Sequence, residues 1–490
     1  MQKFTKTLRY LYPMLLPLAI TVLLTTILCE TAARKGWLPY WITRKILHVI
    51  AVGACAVAVV EIERGLLIWI VAVAELGLIG LIASNQLLRE ESGRRAWGIV
   101  WFPLAFLIIL IGVQDDHIIA FAMLVLAVCD PAATIAGKLW ARKNYRLTGD
   151  PKSLVGNAAF LLSFGLLVWL HLPFGAWLGW GNLLALGLML TAAEALGSRG
   201  LDNLIVPLLA AWLFVGMDGL PPTPNYALYL VIAALPFCWL MVRRESLTVS
   251  GALTASLLGI VVVIGSGSTV WLLPLFLFLL SSSLIGKIFP VKTAAGDSKQ
   301  KQPRDATQVL ANGAVYGWLA AFSWPKEGLA YLIYPITEVW LLTAMAIATA
   351  DTWSSEIGQY FRHPTYDLVK WRKVPPGLSG GVSIIGTLAG LGGSAFIVGT
   401  CFWLVPYVDP STAIKIVCAG FLGMLLDSVL GSLFQAKYRD LITGALSDAP
   451  GKGKERVTGF GWMTNDLVNF LAILAILLGV WIVEHLVLFL

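Results

Sequence analysis

The chain has 490 residues, of which 58% are hydrophobic and only 13% are charged. Its mean hydropathy is +0.80. Soluble domains carry about 25% charged residues, so this composition excludes an ordinary soluble enzyme, a disordered chain and a fibrous protein. The net charge of +7 is typical of the basic inside loops of a membrane protein, and we expect no nucleic-acid partner.

Apolar runs of membrane-spanning length follow one another along the chain, and they are continuous rather than alternating. Continuous runs of about 20 residues predict transmembrane helices and argue against a membrane β-barrel. We therefore expect an all-α, polytopic integral membrane protein with about 16 transmembrane helices in two fused bundles. The predicted spans are 11–29, 46–61, 65–83, 97–113, 118–136, 154–170, 180–197, 202–217, 226–241, 249–264, 270–286, 306–323, 328–350, 379–405, 411–433 and 464–488.

The distribution of basic residues predicts the orientation. With the Arg44–Lys45 loop in the cytoplasm, 29 of the 35 Lys and Arg residues fall inside and 6 outside, in agreement with the positive-inside rule. The N-terminus lacks a Ser/Arg-rich transit segment, so we expect a bacterial inner membrane, with active sites on the cytoplasmic face.

A Pro-rich segment, 218–225, contains no basic residue and has eight predicted spans on either side. Such segments are typical of boundaries, so we predict two domains, 1–222 and 223–490. No sequence repeat is evident between the halves, which favours two different membrane domains fused together.

Ionisable residues at the inside ends of spans are costly and by default indicate a functional site. Arg44, Lys45 and His48 open the second span, and Arg44 and His48 share a helix face. Basic side chains beside a histidine suit phosphate binding. Anchoring of the topology by Arg and Lys is the alternative explanation.

Asp130 ends the fifth span, and Gly137 follows it on the same face. The next loop is basic. An acid facing several cations suits a metal ion with a polyphosphate, whereas a paired Asp in a positive-inside loop is the simpler alternative. The candidate phosphate ligands that follow are Lys138, Lys152, Ser153 and Gly156.

Glu194 and Asp202 flank the turn that joins the next two spans. Their carboxylates would complete a Mg²⁺ site with Asp130. Arg199, between them in sequence, could instead pair with one of them.

These motifs, Arg-Lys-x-x-His, Asp-x-x-Ala-x-x-x-Gly, Lys-Ser-x-x-Gly and Glu…Asp-Asn, occur in the order that is typical of one enzyme family. Over about residues 40–215 the chain resembles the dolichol kinase and phytol kinase family of polyprenol kinases. The resemblance implies phosphorylation of a membrane isoprenoid alcohol, with CTP as the phosphoryl donor.

The second half has its own polar residues at inside ends. Its predicted metal ligands are four carboxylates, Asp351, Glu356, Asp427 and Asp466. Its predicted phosphate ligands are Asn312, Arg362, Lys373, Gly380, Gly381 and Ser383. Gly-rich backbone next to basic side chains suits phosphate contact through N–H groups, although a flexible start to a helix and an N-cap role for the Asn465–Asp466 pair are alternatives.

This second set resembles the transmembrane protein 19 family, which includes the plant phytyl-phosphate kinase. The motifs are Gly251-Ala-Leu-Thr-Ala255, Gln308…Asn312-Gly313, Asp351-Thr-Trp-Ser-Ser-Glu356-x-Gly358, Gly377…Gly380-Gly381-Val-Ser, Asp427-Ser…Gly431…Gln435 and Asn465-Asp466…Asn469. Together the two resemblances imply that the first domain makes an isoprenyl monophosphate and the second makes the diphosphate.

Phosphoryl transfer needs mainly positioning and charge stabilisation. We expect His48, Asp130, Asp351 and Asp427 to be catalytic, Mg²⁺ as the cofactor, and CTP or ATP as the donor. The expected partners are an isoprenoid alcohol, an isoprenyl phosphate, a nucleoside triphosphate and membrane lipids, and a homodimer is compatible with the sequence.

Three alternatives stay open. A CTP-dependent lipid enzyme, either a diacylglycerol kinase or a phosphatidate cytidylyltransferase, would use a similar membrane site. A secondary transporter also carries membrane acids and glycine-broken helices, but its site would lie near the midplane.

Overall fold

The computed structural model describes residues 2–83, 98–171, 178–217, 225–290, 303–321, 329–405 and 409–488. Within them the chain forms sixteen α-helices, one for each predicted span and in the same order. The all-α fold is therefore confirmed. The helices are α1 (Gln2–Arg34), α2 (Tyr40–Glu61), α3 (Arg64–Ala83), α4 (Gly98–Gly112), α5 (Asp116–Trp140), α6 (Leu154–Leu170), α7 (Trp180–Leu196), α8 (Asp202–Met217), α9 (Tyr226–Arg243), α10 (Val249–Ser266), α11 (Leu272–Ile288), α12 (Ala306–Ala321), α13 (Leu329–Phe361), α14 (Ile384–Cys401), α15 (Pro410–Leu433) and α16 (Asn465–Leu488).

Length and hydropathy identify the membrane helices. Among the described residues, nine candidate spans are long and apolar enough to cross a bilayer. Four further apolar helices, α4, α6, α7 and α8, are 15 to 17 residues long. The number of sixteen membrane spans stays a prediction.

The chain divides into two compact units, Met1–Ala234 (unit 1) and Leu235–Leu490 (unit 2). The predicted boundary between residues 222 and 223 lies outside the described residues.

Helix α5 is the central helix of unit 1 and packs against α2, α6 and α8. It is apolar on all sides for most of its length, as expected of a helix surrounded by other helices. The ring of Phe121 makes edge-to-face contacts with Phe164 of α6 and, at 5.0 Å between centroids, with Phe214 of α8. This packing fixes the rotation of α5 and so determines which side chains Asp130 meets.

Unit 2 is built around the packing of α13 against α14 and α15. Glycines allow the backbones to approach closely, because a methyl group added at Gly390 or Gly393 would lie 3.1 or 2.9 Å from the carbonyl oxygens of Ala350 and Thr349. Helix α13 has 33 residues, about 50 Å at 1.5 Å per residue. It is thus continuous and longer than the bilayer core of about 30 Å.

Two small antiparallel sheets lie in the loops after α13 and α15, where the sequence analysis predicted no strands. The strands are β1 (Thr365–Asp367), β2 (Lys373–Val374), β3 (Gly381–Val382), β4 (Lys437–Asp440), β5 (Leu446–Ser447) and β6 (Lys454–Thr458). The first sheet has the strand order β2-β1-β3 and the second has the order β5-β4-β6. The loop after α13 is therefore a paired structure and not a flexible start to α14.

Candidate functional site

Asp130 is the centre of the polar cluster in unit 1. Its carboxylate accepts a hydrogen bond from the Lys45 ammonium at 2.7 Å and lies 3.4 Å from His48 Nε2. His48 Nε2 is also 3.3 Å from the carbonyl oxygen of Leu126. Because Asp130 is only 3% exposed, the cluster is shielded from water, which strengthens each charge interaction.

Two other basic residues of this region, Arg44 and Lys138, contact aromatic rings. It is Lys45, three residues before His48, that reaches Asp130, whereas the Arg44 guanidinium lies over the ring of Tyr40. The Lys138 ammonium lies 4.3 Å from the ring centroid of Trp41. Helix rotation thus selects Lys45 as the partner of Asp130, although the i,i+4 spacing favoured Arg44 beside His48.

A second set of ionic contacts surrounds Lys152. Its ammonium donates to Glu194 Oε1 at 2.6 Å and to Asp202 Oδ2 at 3.1 Å. Burial alone would lower the pKa of Lys152, but the charges of Asp202 and Glu194 outweigh burial and raise that pKa above its ordinary value. The predicted alternative partner, Arg199, is therefore not the residue that pairs with these acids.

The three acids converge although they come from three helices. One carboxylate oxygen each from Asp130, Glu194 and Asp202 lies within 4.8 Å of the other two. Among the described residues no second group of three His, Cys, Asp or Glu side chains is as close. The predicted metal ligands of unit 1 are thus brought together, with Lys45 and Lys152 as their present counter-charges.

The loop between α5 and α6 is held in place by main-chain contacts. Tyr145 and Lys152 exchange two backbone hydrogen bonds, 2.8 and 2.9 Å long. The Asp150 carboxylate accepts from the backbone N–H of Arg199 at 2.7 Å, and the Asn157 amide donates to the Tyr145 hydroxyl. These bonds fix the position of Lys152 over the carboxylates.

A serine cap joins α5 to α6. Ser153 Oγ accepts from the N–H of Gly156 at 3.0 Å, which is an N-cap. A methyl group added at Gly137 would lie 3.0 Å from that hydroxyl, and one at Gly156 would lie 2.9 Å from the carbonyl oxygen of Ala133. Ser153 and Gly156 therefore position α6 against the Asp130 helix, and the serine hydroxyl is occupied by the cap.

Unit 2 contains the same arrangement of residue types. Ser383 Oγ accepts from the N–H of Gly386 at 3.2 Å. A methyl group added at Gly386 would lie 3.0 Å from the carbonyl oxygen of Ser354, and one at Gly358 would lie 3.3 Å from Ser383 Oγ. As in unit 1, the glycine facing the serine lies seven residues after an aspartate, Asp351.

We call this arrangement the Asp–Gly–Ser–Gly junction. Its members are Asp130, Gly137, Ser153 and Gly156 in unit 1 and Asp351, Gly358, Ser383 and Gly386 in unit 2. Both units therefore use one local geometry at the site, although no sequence repeat is evident between the halves.

The carboxylates of unit 2 have other partners. The Asn469 amide of α16 lies between Asp351 and Asp427: one terminal atom is 3.4 Å from Asp351 Oδ2 and the other is 2.9 Å from Asp427 Oδ2. When the nitrogen donates to Asp427, it also donates to the carbonyl oxygen of Asn465 at 2.9 Å. The amide oxygen then points towards Asp351.

The four predicted metal ligands of unit 2 do not converge as a group among the described residues. Glu356 accepts from Arg304 Nη2 at 3.3 Å, and Arg304 Nη1 donates to Ser282. Asp466 is in the first turn of α16. The structure thus keeps Asp351 and Asp427 near one amide and assigns Glu356 to a different ion pair.

The predicted phosphate ligands of unit 2 are dispersed. Lys373 and Arg362 are exposed. Gly380, at φ +85°, packs so closely on α15 that a methyl group there would lie 2.6 Å from Ser432 Cβ, and Gly381 begins β3. The side chain of Asn312 donates to the carbonyl oxygen of Gln308 in its own helix.

Polar residues link the two loops of unit 2, and two of them, Asp367 and Ser432, had not been singled out from the sequence. Asp367 accepts from the N–H groups of Val369 and Lys370 and from the Ser432 hydroxyl. Burial would raise the pKa of Asp367, but these hydrogen bonds, with that of Ser432 the strongest, hold it below its ordinary value. The Ser379 hydroxyl donates to Gln435 Oε1 at 2.6 Å, so both loops meet at the end of α15.

Glu75 of α3 is a further missed residue. It is 4% exposed, and neither carboxylate oxygen has a hydrogen-bond partner among the described residues.

Bundles of apolar helices that bury such polar clusters define the class: the chain is a polytopic integral membrane protein. It matches the family described as Integral membrane protein DUF92 over residues 232–477, half of its length, and it belongs to that family.

Similar proteins occur in plants and in an archaeon. The chain is 26% identical over 245 residues to the chloroplastic protein VTE6 of Arabidopsis thaliana, covering 49% of this chain and 67% of the relative. It is 26% identical over 274 residues to protein PGR of the same plant, covering 51% and 94%. An uncharacterized membrane protein of Methanocaldococcus jannaschii is 28% identical over 202 residues, covering 40% and 79%. No solved structure matches significantly.

Proposed function

We propose that this protein is a membrane phosphotransferase that phosphorylates an isoprenoid alcohol in unit 1 and an isoprenyl monophosphate in unit 2. The observation that carries the proposal is the convergence of Asp130, Glu194 and Asp202 with two lysines at the ends of apolar helices. Such a cluster suits polyphosphate chemistry beside a lipid acceptor. The motifs of both halves, and the similarity to VTE6, support the same conclusion.

Carboxylate oxygens are the ligands that Mg²⁺ prefers, and the three convergent acids of unit 1 fit that preference. Asp130, Glu194 and Asp202 would hold the ion, and in unit 2 Asp351 and Asp427 would do so with the Asn469 amide oxygen. When bound, Mg²⁺ neutralises charge on the phosphates of CTP or ATP.

The lysines and the histidine of unit 1 would bind the phosphates and accept the proton of the acceptor hydroxyl. Lys45 and Lys152, released from the carboxylates, neutralise the phosphate oxygens. His48 orients the acceptor hydroxyl and takes its proton. The hydroxyl oxygen forms a bond to the terminal phosphorus, and the bond from that phosphorus to the oxygen of the departing nucleoside diphosphate breaks.

The distribution of charges supports a proposed location for both sites. We place both sites on the cytoplasmic face of a bacterial inner membrane, because basic loops adjoin every acid of the two clusters and basic loops stay inside. The isoprenoid chain would remain in the lipid while its polar end reaches the helix ends.

The test uses the purified full chain with Mg²⁺ and either CTP or ATP. Geranylgeraniol, phytol and their monophosphates serve as separate acceptors, and the lipid products are resolved. The proposal requires phosphorylated lipid together with nucleoside diphosphate. Release of pyrophosphate would show cytidylyl transfer instead, and the absence of any product from all acceptors would overturn the proposal.

A further inference from the structure

Lys437 is an unusual residue in unit 2. It begins β4, four residues after the end of α15, and is 4% exposed. Among the described residues its ammonium takes part in no hydrogen bond and no ion pair. A buried cation without a direct partner is costly, so its retention calls for a ligand or a structural reason.

The strand pairing is irregular next to this side chain. The pairing of β4 with β6 shifts register between Lys437 and Tyr438, where Val457 is the extra residue of a β-bulge. Bulges re-aim side chains and are frequent beside functional sites. Gln435, two residues earlier, is 2% exposed and accepts from Ser379 in the other loop, so Lys437 is buried at the same meeting point of the loops.

The surroundings of Lys437 carry charges of both signs. Asp448 and Asp367 attract its ammonium, whereas Lys370 and Arg372 repel it. Asp367 already accepts three hydrogen bonds. Lys370 and Arg372 are exposed, and they lie in the loop where Asp367 accepts from the N–H of Lys370.

We infer that Lys437, Lys370 and Arg372 form an anion site that binds a phosphate group of a substrate of unit 2. Lysine is a common point-charge ligand of phosphate, and arginine binds it through parallel N–H donors. The site belongs to the proposed function, since it supplies a phosphate contact that Arg362 and Lys373 were predicted to make.

The position relative to the carboxylates fits a phosphorylated substrate. Ser432, which donates to Asp367, follows Asp427 by five residues on α15, a rise of about 7–8 Å. A phosphate at Lys437 would therefore lie beyond the Asp351–Asp427 pair along that helix. The phosphate could belong to the nucleotide or to the isoprenyl monophosphate, and the two are separated by experiment.

The binding experiment titrates inorganic phosphate into the full chain in detergent and follows thermal unfolding and heat of binding. Lys437→Gln should weaken phosphate binding at least tenfold, Lys437→Arg should retain most of it, and Lys452→Gln, at an exposed lysine of the same loop, should match the wild type. Unchanged affinity in Lys437→Gln would overturn the inference.

A structural role predicts a different pattern. If Lys437 served only to balance Asp448 and Asp367, Lys437→Gln would lower the unfolding temperature of the phosphate-free protein and leave phosphate affinity unchanged. If it forms an anion site, the phosphate-free variant should be at least as stable as the wild type, because an unpaired buried charge has been removed.

The source of the phosphate is identified by kinetics. A rise in KM for the nucleotide alone assigns the site to the donor, and a rise in KM for the isoprenyl monophosphate alone assigns it to the acceptor. Either result supports the inference. Absence of kinase activity in the wild type, combined with Lys437-dependent phosphate binding, would refute the proposed function and leave the anion site intact.

Discussion

The two units hold an aspartate in the same Asp–Gly–Ser–Gly junction but surround it with different charges. Asp130 contacts a lysine and a histidine, whereas Asp351 lies near Asn469 and a second carboxylate, Asp427. Among the described residues no cation is within ion-pair distance of Asp351 or Asp427, and the ion pair of unit 2 joins Arg304 to Glu356. One backbone geometry is therefore combined with two electrostatic surroundings: the acids of unit 1 are paired with lysines, whereas Asp351 and Asp427 adjoin an amide.

The two units also differ in charge at the position before the capping serine. The residue before the capping serine is Lys152 in unit 1 and Val382 in unit 2. Lys152 bridges Glu194 and Asp202, and a valine has no charge with which to do so. We expect metal binding in unit 1 to displace a lysine and metal binding in unit 2 to proceed without such a step.

The largest expected effect comes from replacing the junction aspartate of one unit, which should impair one of the two proposed reactions and not the other. Asp130→Asn should lower the rate with an isoprenoid alcohol by about 10²-fold or more, because Asn keeps the shape and removes the charge, while the rate with the monophosphate stays near that of the wild type. Asp351→Asn should have the reverse effect. Initial rates with each acceptor measure both; an equal loss of both reactions in either variant contradicts two independent sites.

The ion pairs of unit 1 provide the next test. Lys152→Met should destabilise the protein by about 3 kcal/mol, because Glu194 and Asp202 lose their buried counter-charge. Added Mg²⁺ or Mn²⁺ should restore part of that loss by occupying the carboxylates. Chemical unfolding in detergent measures the difference, with Lys143→Met, an exposed residue of the same loop, as the control; a variant as stable as the wild type without divalent ions would refute the proposed role of the pair.

The shared junction predicts matched effects of glycine substitutions in both units. Gly156→Ala and Gly386→Ala should each cost about 1–2 kcal/mol, because the new methyl group meets a carbonyl oxygen of the neighbouring helix. Gly165→Ala and Gly392→Ala, in the same two helices, have no atom within 4 Å of the new methyl group and should be neutral or stabilising by up to about 1 kcal/mol. Unfolding midpoints would show whether the sign differs within each helix.

The smallest expected effect concerns pH. Burial, assisted by Lys370 and Arg372 and opposed by Asp448 and Asp367, holds the pKa of Lys437 below its ordinary value. The folded state is then penalised while Lys437 is charged, so stability should rise as the pH increases from the lowered pKa towards the ordinary one. Bound phosphate favours the charged form, and its stabilising effect should fade over the same interval. Unfolding temperatures of wild type and Lys437→Gln, with and without phosphate, test this, since the variant should show neither trend.

Hydropathy alone was sufficient to predict the helices, because the cost of exposing polar backbone to lipid makes each long apolar run helical. The distribution of basic residues placed Asp130, Glu194 and Asp202 at the inside ends of their spans, and the sequence therefore predicted them as a group. The short strands around Lys437 had no such signal: they are two to five residues long and depend on pairing between distant parts of each loop.

The residues of the Asp–Gly–Ser–Gly junction have the same local spacing in both halves of the sequence. Asp-x₆-Gly followed by Ser-x-x-Gly occurs in both halves, at Asp130–Gly156 and at Asp351–Gly386. The loop between the two parts differs in length, so a repeat of constant period does not exist, and the match becomes evident only when the serine and both glycines are seen in contact.

The sequence by itself determined the all-α membrane fold, the order of the helices and the residue types at their ends, because hydropathy and side-chain charge are local properties. Only the tertiary structure decided that Lys45 rather than Arg44 meets Asp130, that Lys152 rather than Arg199 bridges Glu194 and Asp202, and that Lys437 is buried. Those pairings depend on the rotation of each helix against its neighbours, and that rotation is set by the packing of residues far apart in the chain.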